Sequence, residues 1–219
     1  MRDTLAAACF VATLFGPSLV AQSAPPLRAP RIGLLGGINI ASLKGSGAQG
    51  FGSRTGVAVG ALFVKPIGAN TSLQAEGFFA MKGATSSSSG ASGGINTNFI
   101  EVPVLLRYDV PAAGDVKPFL LGGLATSFNL SCNLEATSGG TTVTMTCQEA
   151  DQQFGNGTNR FQTVDLGGVF GGGLSFNVGG RTMTLGARYE LGFSTISSEA
   201  DTKHRVVSFQ ATFEWPIHR

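Results

Sequence analysis

Residues 204–217 read His-Arg-Val-Val-Ser-Phe-Gln-Ala-Thr-Phe-Glu-Trp-Pro-Ile, and apolar and polar side chains alternate along them. Val207, Phe209 and Phe213 share one parity, whereas Gln210 and Glu214 share the other. Because successive side chains of a β-strand point to opposite faces, this pattern predicts a strand with one apolar and one polar face.

Seven further stretches have the same character, and none shows a convincing helical period. They are rich in Val, Phe, Thr, Leu and Gly, which suits strands in a narrow sheet. Residues 97–109 repeat the alternation clearly, with Val104 and Leu106 on one face and Glu101 and Arg107 on the other. The predicted strands are residues 32–42, 53–65, 70–83, 97–109, 116–129, 162–177, 181–194 and 204–217.

The connections between these strands alternate between short turns and longer segments, which favours an antiparallel up-and-down sheet. With an even number of strands, that asymmetry is typical of outer-membrane barrels. A sheet crosses a bilayer only when it is closed, because every backbone N–H and C=O must be paired there. We therefore predict an all-β, eight-stranded antiparallel barrel with apolar side chains facing lipid and charged ones facing inward.

The composition is consistent with a barrel of this kind and argues against a nucleic-acid-binding protein or a helical membrane protein. Charged residues make up 13% of the 219, there are 32 glycines, and the net charge is +2, from 15 basic and 13 acidic residues. No cluster of Lys and Arg occurs, so we expect no nucleic-acid partner. Beyond the N-terminal segment, no apolar run approaches the ~20 residues that a membrane-spanning helix needs.

Residues 1–23 have the layout of a secretory signal peptide, leaving residues 24–219 as the predicted barrel domain. Removal of this segment would take away Cys9 and leave Cys132 and Cys147. Two cysteines fifteen positions apart in an exported chain predict one disulfide. Two thiolates alone make a poor zinc site, and we predict no metal ion, cofactor or catalytic group.

Three segments resemble the PorT-like outer-membrane β-barrel family of bacteria. They are Arg31-Ile-Gly-Leu-Leu-Gly-Gly-Ile-Asn-Ile, Phe99-Ile-Glu-Val-Pro-Val-Leu-Leu-Arg-Tyr and Lys117-Pro-Phe-Leu-Leu-Gly-Gly. The resemblance covers essentially all of residues 24–219. It implies an eight-stranded barrel in the outer membrane with both termini in the periplasm. Its partners would be outer-membrane lipid and lipopolysaccharide, and the barrel-assembly machinery during biogenesis.

Charged residues on the polar faces are the candidate interior. Eight strands leave room for little more than side chains, and a buried charge needs a partner. We therefore predict a salt-bridge network that plugs the lumen, formed by Arg54, Glu76, Glu101, Arg107, Asp165, Arg188, Glu190 and Glu214.

Aromatic residues near the strand ends predict two girdles at the membrane interfaces. One girdle would comprise Phe63, Tyr108, Phe119, Phe213 and Trp215, and the other Phe79, Phe99, Phe128 and Phe193. The Ser/Gly tract from Thr85 to Gly94 predicts a flexible loop tip. Residues 130–161 predict a long polar loop that carries the disulfide, and this loop is the best candidate for contact with an unknown extracellular ligand.

Three other functions remain open at this point. A lipid-modifying outer-membrane enzyme would need a nucleophile or base at the lipid-facing rim, where His204 and Ser208 are four positions apart. A soluble lipocalin-like barrel would turn its apolar face inward to hold a ligand. A narrow porin would keep a conducting lumen.

Overall fold

The computed structural model describes residues 28–45, 51–88, 90–154, 163–193 and 202–217. The signal peptide predicted at residues 1–23 lies outside this part of the chain. Nine strands and one helix are present: β1 Arg31–Gly45, β2 Phe51–Pro66, β3 Thr71–Ser88, β4 Ala91–Asp109, β5 Val116–Ser138, β6 Thr141–Thr146, α1 Cys147–Phe154, β7 Val164–Val178, β8 Arg181–Gly192 and β9 Thr202–Pro216.

Eight of these strands form a closed antiparallel ring. Strands that follow one another along the chain pair with each other, except that β5 pairs with β7 in the ring. The ring closes where β1 pairs with β9, from Arg31–Pro216 to Gly45–Thr202. The predicted all-β, eight-stranded antiparallel barrel is therefore confirmed. The remaining strand, β6, pairs with β5 outside the ring. Among the described residues, no helix has the length and apolar character needed to span a membrane.

The two ends of the ring differ. Residues 67–70, 110–115 and 179–180 connect strands at one end, which we call the short-turn end. The described chain also enters β1 and leaves β9 at this end, because Arg31 lies opposite Pro216. We call the opposite end the long-loop end.

Apolar side chains cover the outside of the ring. In β4, Val104 and Leu106 are 48% and 53% exposed, whereas Glu101 and Arg107 are each 2% exposed. This is the predicted orientation, and it rules out the lipocalin-like alternative, which needs the apolar face inside. This arrangement results from the two-residue period of the strand, which sends successive side chains to opposite faces. A one-residue shift in register would exchange the two faces.

The interior is mixed in character, and two predicted girdle residues belong to it. Phe99 and Phe119 are buried inside the ring, so their assignment to the girdles was wrong. Phe119 packs with Leu105 and Leu121 in an apolar interior cluster. Glycine makes room on this face: a Cβ added to Gly173 would lie 2.1 Å from the carbonyl oxygen of Leu185.

The long-loop end contains more regular structure than the sequence predicted. Strands β3 and β4 continue to Ser88 and from Ala91, so the flexible loop tip predicted from Thr85 to Gly94 is mostly a paired hairpin. Residues 130–154, predicted as loop, continue β5 and add β6 and α1. These strands were not predicted because they are rich in Ser and Thr. The turns between them contain glycines with positive φ, at Gly90, Gly139 and Gly140.

Together, residues 84–88, 90–98 and 129–154 form what we call the sheet extension. Within it, β6 lies along β5 from Asn133 onward, beyond Phe128, where the pairing of β5 with β7 ends. The predicted disulfide is present, and it joins Cys132 of β5 to Cys147 at the start of α1. Closing a loop of this size stabilises a fold by roughly 3 kcal/mol in the chain-entropy model.

Candidate functional site: the charged interior

The predicted charged residues lie on the inner face of the ring. Glu76, Glu101, Arg107, Arg188, Glu190 and Glu214 are all buried there. Each forms an ion pair, and these pairs divide into three groups along the interior.

The central group joins opposite sides of the ring. Arg188 of β8 donates from Nη1 to Oε2 of Glu76 at 2.6 Å and from Nη2 to Oε1 at 2.6 Å. Gln74 donates to the same carboxylate from its own strand, β3. Two parallel charge-assisted hydrogen bonds fix both side chains in orientation as well as in distance. This pair therefore fills the middle of the lumen with a rigid bridge.

The group at the short-turn end centres on Glu214 of β9. Its carboxylate accepts a hydrogen bond from Nε of Arg31 at 2.7 Å and lies 3.5 Å from Nη1 of Arg107. Arg107 also pairs with Asp109 at 2.9 Å, and its guanidinium lies 4.3 Å from the ring centroid of Phe119. This stacking explains why an aromatic residue is found inside, since a guanidinium interacts favourably with an aromatic face.

The group at the long-loop end centres on Lys82 of β3. Its ammonium pairs with Glu101 of β4 and with Glu190 of β8, the latter at 2.7 Å. Phe99 lies 5.5 Å from the ammonium, measured to the ring centroid. A lysine has three donors, so one ammonium can serve both carboxylates at once.

Sequence reasoning missed three members of these groups, namely Arg31, Lys82 and Asp109. The parity of β3 could have identified Lys82, because it has the same parity as Glu76 along the strand. Asp109 likewise has the parity of Arg107. Arg31 is the first residue of β1, where the alternation pattern gives little information about which face a side chain occupies.

Two predicted members lie apart from the three groups. Arg54 is half-buried near the long-loop end, where its side chain packs over Gly83 and Gly94. No ion pair of Arg54 occurs among the described residues. Asp165 is half-buried on the inner face of β7, with its carboxylate beside Gly192.

His204 and Ser208 also lie inside the ring, so their predicted position at a lipid-facing rim is wrong. Both are buried, and His204 packs edge-on against Phe99 with ring centroids 5.9 Å apart. The cause is parity: both residues alternate with Val207 and Phe209, which face outward. Among the described residues, no group of three or more His, Cys, Asp or Glu side chains could hold a metal ion.

The sheet extension offers a different surface, which is polar and carries three carboxylates, Glu135, Glu149 and Asp151, and no basic side chain. Asn96 donates to Glu135 at 2.6 Å, and the hydroxyls of Thr137 and Thr142 lie 2.9 Å apart. At the start of α1, the backbone N–H and the hydroxyl of Thr146 each donate to Glu149 at 2.8 Å. These bonds lower the pKa of Glu149. The arrangement is a capping box, which fixes the first turn of the short helix.

Comparison with known proteins agrees with this architecture. The family model described as "Outer membrane protein beta-barrel domain" matches residues 20–198. The chain belongs to this family. Membership places it in the bacterial outer membrane. No curated protein is significantly similar in sequence.

Two solved structures share this fold. Neisserial surface protein A is 12% identical with a TM-score of 0.50, and the match covers 85% of this chain and 97% of that one. OprG from Pseudomonas aeruginosa is also 12% identical with a TM-score of 0.50, and the match covers 88% and 98% of the two chains. At this identity the likeness concerns the fold alone.

Proposed function

We propose that this protein is a non-enzymatic outer-membrane barrel whose lumen is plugged by ion pairs and whose sheet extension recognises molecules outside the cell. The observation that carries the proposal is the set of three ion-pair groups spaced along the interior. Within its family, we propose that it is similar to the PorT-like barrels, which segments 99–108 and 117–123 resemble.

The ion pairs would block the lumen because separating the buried charges costs free energy. Four cations, Arg31, Lys82, Arg107 and Arg188, face five carboxylates, Glu76, Glu101, Asp109, Glu190 and Glu214. A solute passing through would have to separate these pairs, and an uncompensated buried charge costs several kcal/mol. The interior therefore suits a structural role better than a permanent pore.

The orientation that we propose puts both termini in the periplasm and the sheet extension outside the cell. The apolar outer face would contact outer-membrane lipid and lipopolysaccharide, and the barrel-assembly machinery would insert the chain. The extension carries its own disulfide and capped helix, which hold an exposed polar surface in one shape. Such a surface suits recognition of an extracellular ligand, because ordering it on binding costs little entropy.

Planar-bilayer recording tests the plug. We expect no steady conductance from the refolded protein, but discrete openings from the double variant Glu76→Ala/Arg188→Ala, which removes the central bridge. Heat-modifiable migration on a detergent gel would verify that both samples are folded. Steady conductance from the unaltered protein would instead favour the narrow porin.

Surface labelling tests the orientation. An epitope inserted between Gly139 and Gly140 should bind antibody on intact cells, whereas one inserted between Gly179 and Gly180 should need permeabilised cells. The converse pattern would reverse the proposed orientation.

For the enzyme alternative, His204→Ala should leave the composition of lipid A unchanged, and an altered composition would argue for catalysis.

A further inference from the structure

A cavity of about 330 Å³ lies at the short-turn end of the ring. Side chains from several strands line it, including Arg31 of β1, Arg107 of β4, Lys117 of β5 and Ser175 of β7. Arg31, Arg107 and Ser175 are buried, so their positions are fixed by the surrounding ring. The volume falls at the lower end of the range for small-molecule sites.

The lining carries more positive than negative charge. Four cationic side chains line the cavity, Arg28, Arg31, Arg107 and Lys117, together with two carboxylates, Asp109 and Asp115. Glu214 stands behind the lining and pairs with two of the cations. Counting this third carboxylate, four positive charges face three negative ones, so a positive charge remains unmatched.

The unmatched donors belong to Arg31 and Lys117. Arg31 uses Nε for Glu214, and no described residue accepts a hydrogen bond from its two terminal nitrogens. Neither of these nitrogens is buried without a hydrogen-bond partner. Because Arg31 lines the cavity, both nitrogens are accessible from it. Likewise, no described residue pairs with the ammonium of half-buried Lys117. In contrast, each of the three guanidinium nitrogens of Arg107 already has a partner, which is Glu214, Asp109 or Ser175.

We propose that this cavity binds a small anion carrying a carboxylate or phosphate group. Two adjacent nitrogens of a guanidinium match two oxygens of such a group, and a lysine adds a point charge. Asn177 and Thr182 also line the cavity and supply neutral polar groups for the rest of the ligand. The site shares Arg31 and Arg107 with the plug but need not disrupt it, because Arg31 keeps its bond to Glu214 while its terminal nitrogens bind the ligand.

Calorimetric titration of the full chain in detergent micelles tests the proposal, with inorganic phosphate in one arm and succinate in the other. We expect saturable binding in at least one arm, and the arm that binds more tightly identifies the preferred oxyanion. Binding should weaken with added sodium chloride, because the half-buried Lys117 is open to screening by salt.

Two lysine variants make the test specific. Lys117→Gln should weaken binding about tenfold, since it removes one charge-assisted hydrogen bond. Lys65→Gln removes the same charge from an exposed position at the same end of the ring and should leave binding unchanged. No saturation in either arm would overturn the site, as would an equal loss in both variants. Neither outcome depends on conductance, so failure here leaves the plug untouched.

Discussion

Replacing Glu76 with glutamine should destabilise the ring by about 3–5 kcal/mol. Both terminal nitrogens of Arg188 donate to this carboxylate at 2.6 Å, and the Glu76 side chain is fully buried. A glutamine offers one oxygen and turns its NH₂ group toward the second donor. One charge-assisted hydrogen bond is then lost, and a buried donor is left unpaired at about 1–3 kcal/mol.

Urea unfolding in lipid vesicles, followed by the fluorescence of Trp215, measures this loss, because the chain has one tryptophan. Glu135→Gln is the matched control. It makes the same chemical change at an exposed carboxylate whose partner is Asn96. We expect the control to shift the free energy of unfolding by less than about 0.5 kcal/mol.

A second substitution separates the loss of the pair from a general defect. Adding Arg188→Met to Glu76→Gln removes the unpaired cation and should recover about 2 kcal/mol or more. If Glu76→Gln alone costs no more than the control, the central bridge contributes nothing to stability. If the double variant is no better than the single one, the loss comes from packing and not from the unpaired charge.

Further substitutions test the outer face, the close approach of strands and the capped helix. Leu124→Arg places a charge where the side chain is 64% exposed to lipid and should cost about 2–4 kcal/mol in vesicle unfolding, whereas Leu130→Arg, at 58% exposure in the sheet extension, should be neutral. Gly123→Ala should cost about 1–3 kcal/mol in the same assay, because the new Cβ would lie 2.2 Å from a carbonyl oxygen of β4; at Gly122 the nearest such atom is 3.7 Å away, so Gly122→Ala should be tolerated. Because folding lowers the pKa of Glu149, its carboxylate stabilises α1 above the ordinary value of 4.5, and this support is lost as the pH falls through the lowered pKa; amide exchange in α1 should then accelerate, but not in Glu149→Gln, which has no carboxylate to titrate.

The faces of the strands could be predicted from sequence because period-two alternation is a local property. Val104 and Glu101 differ in parity, and that difference alone sends one to lipid and the other to the lumen. The same rule, applied to β9, would have put Ser208 inside with Glu214. The expectation of a lipid-facing pair ignored this parity and was therefore wrong.

The partners of the charges could not be predicted from sequence, because they depend on ring closure and register. Arg188 and Glu76 are 112 positions apart and meet across the lumen. Nothing local in either strand specifies that distance. The hairpin at Thr85 and Gly94 was missed for another reason: Ser and Gly have weak strand preference, and pairing with the adjacent strands overrides it.

The ion pair between Arg31 and Glu214 lies across the seam that closes the ring. These residues belong to β1 and β9 and are 183 positions apart, so the pair forms only when the first and last strands meet. Opening the seam would expose the backbone ladder of both strands to lipid and leave two buried charges apart, and both changes are unfavourable. Backbone pairing and charge neutralisation therefore favour the same closed state, which makes closure cooperative.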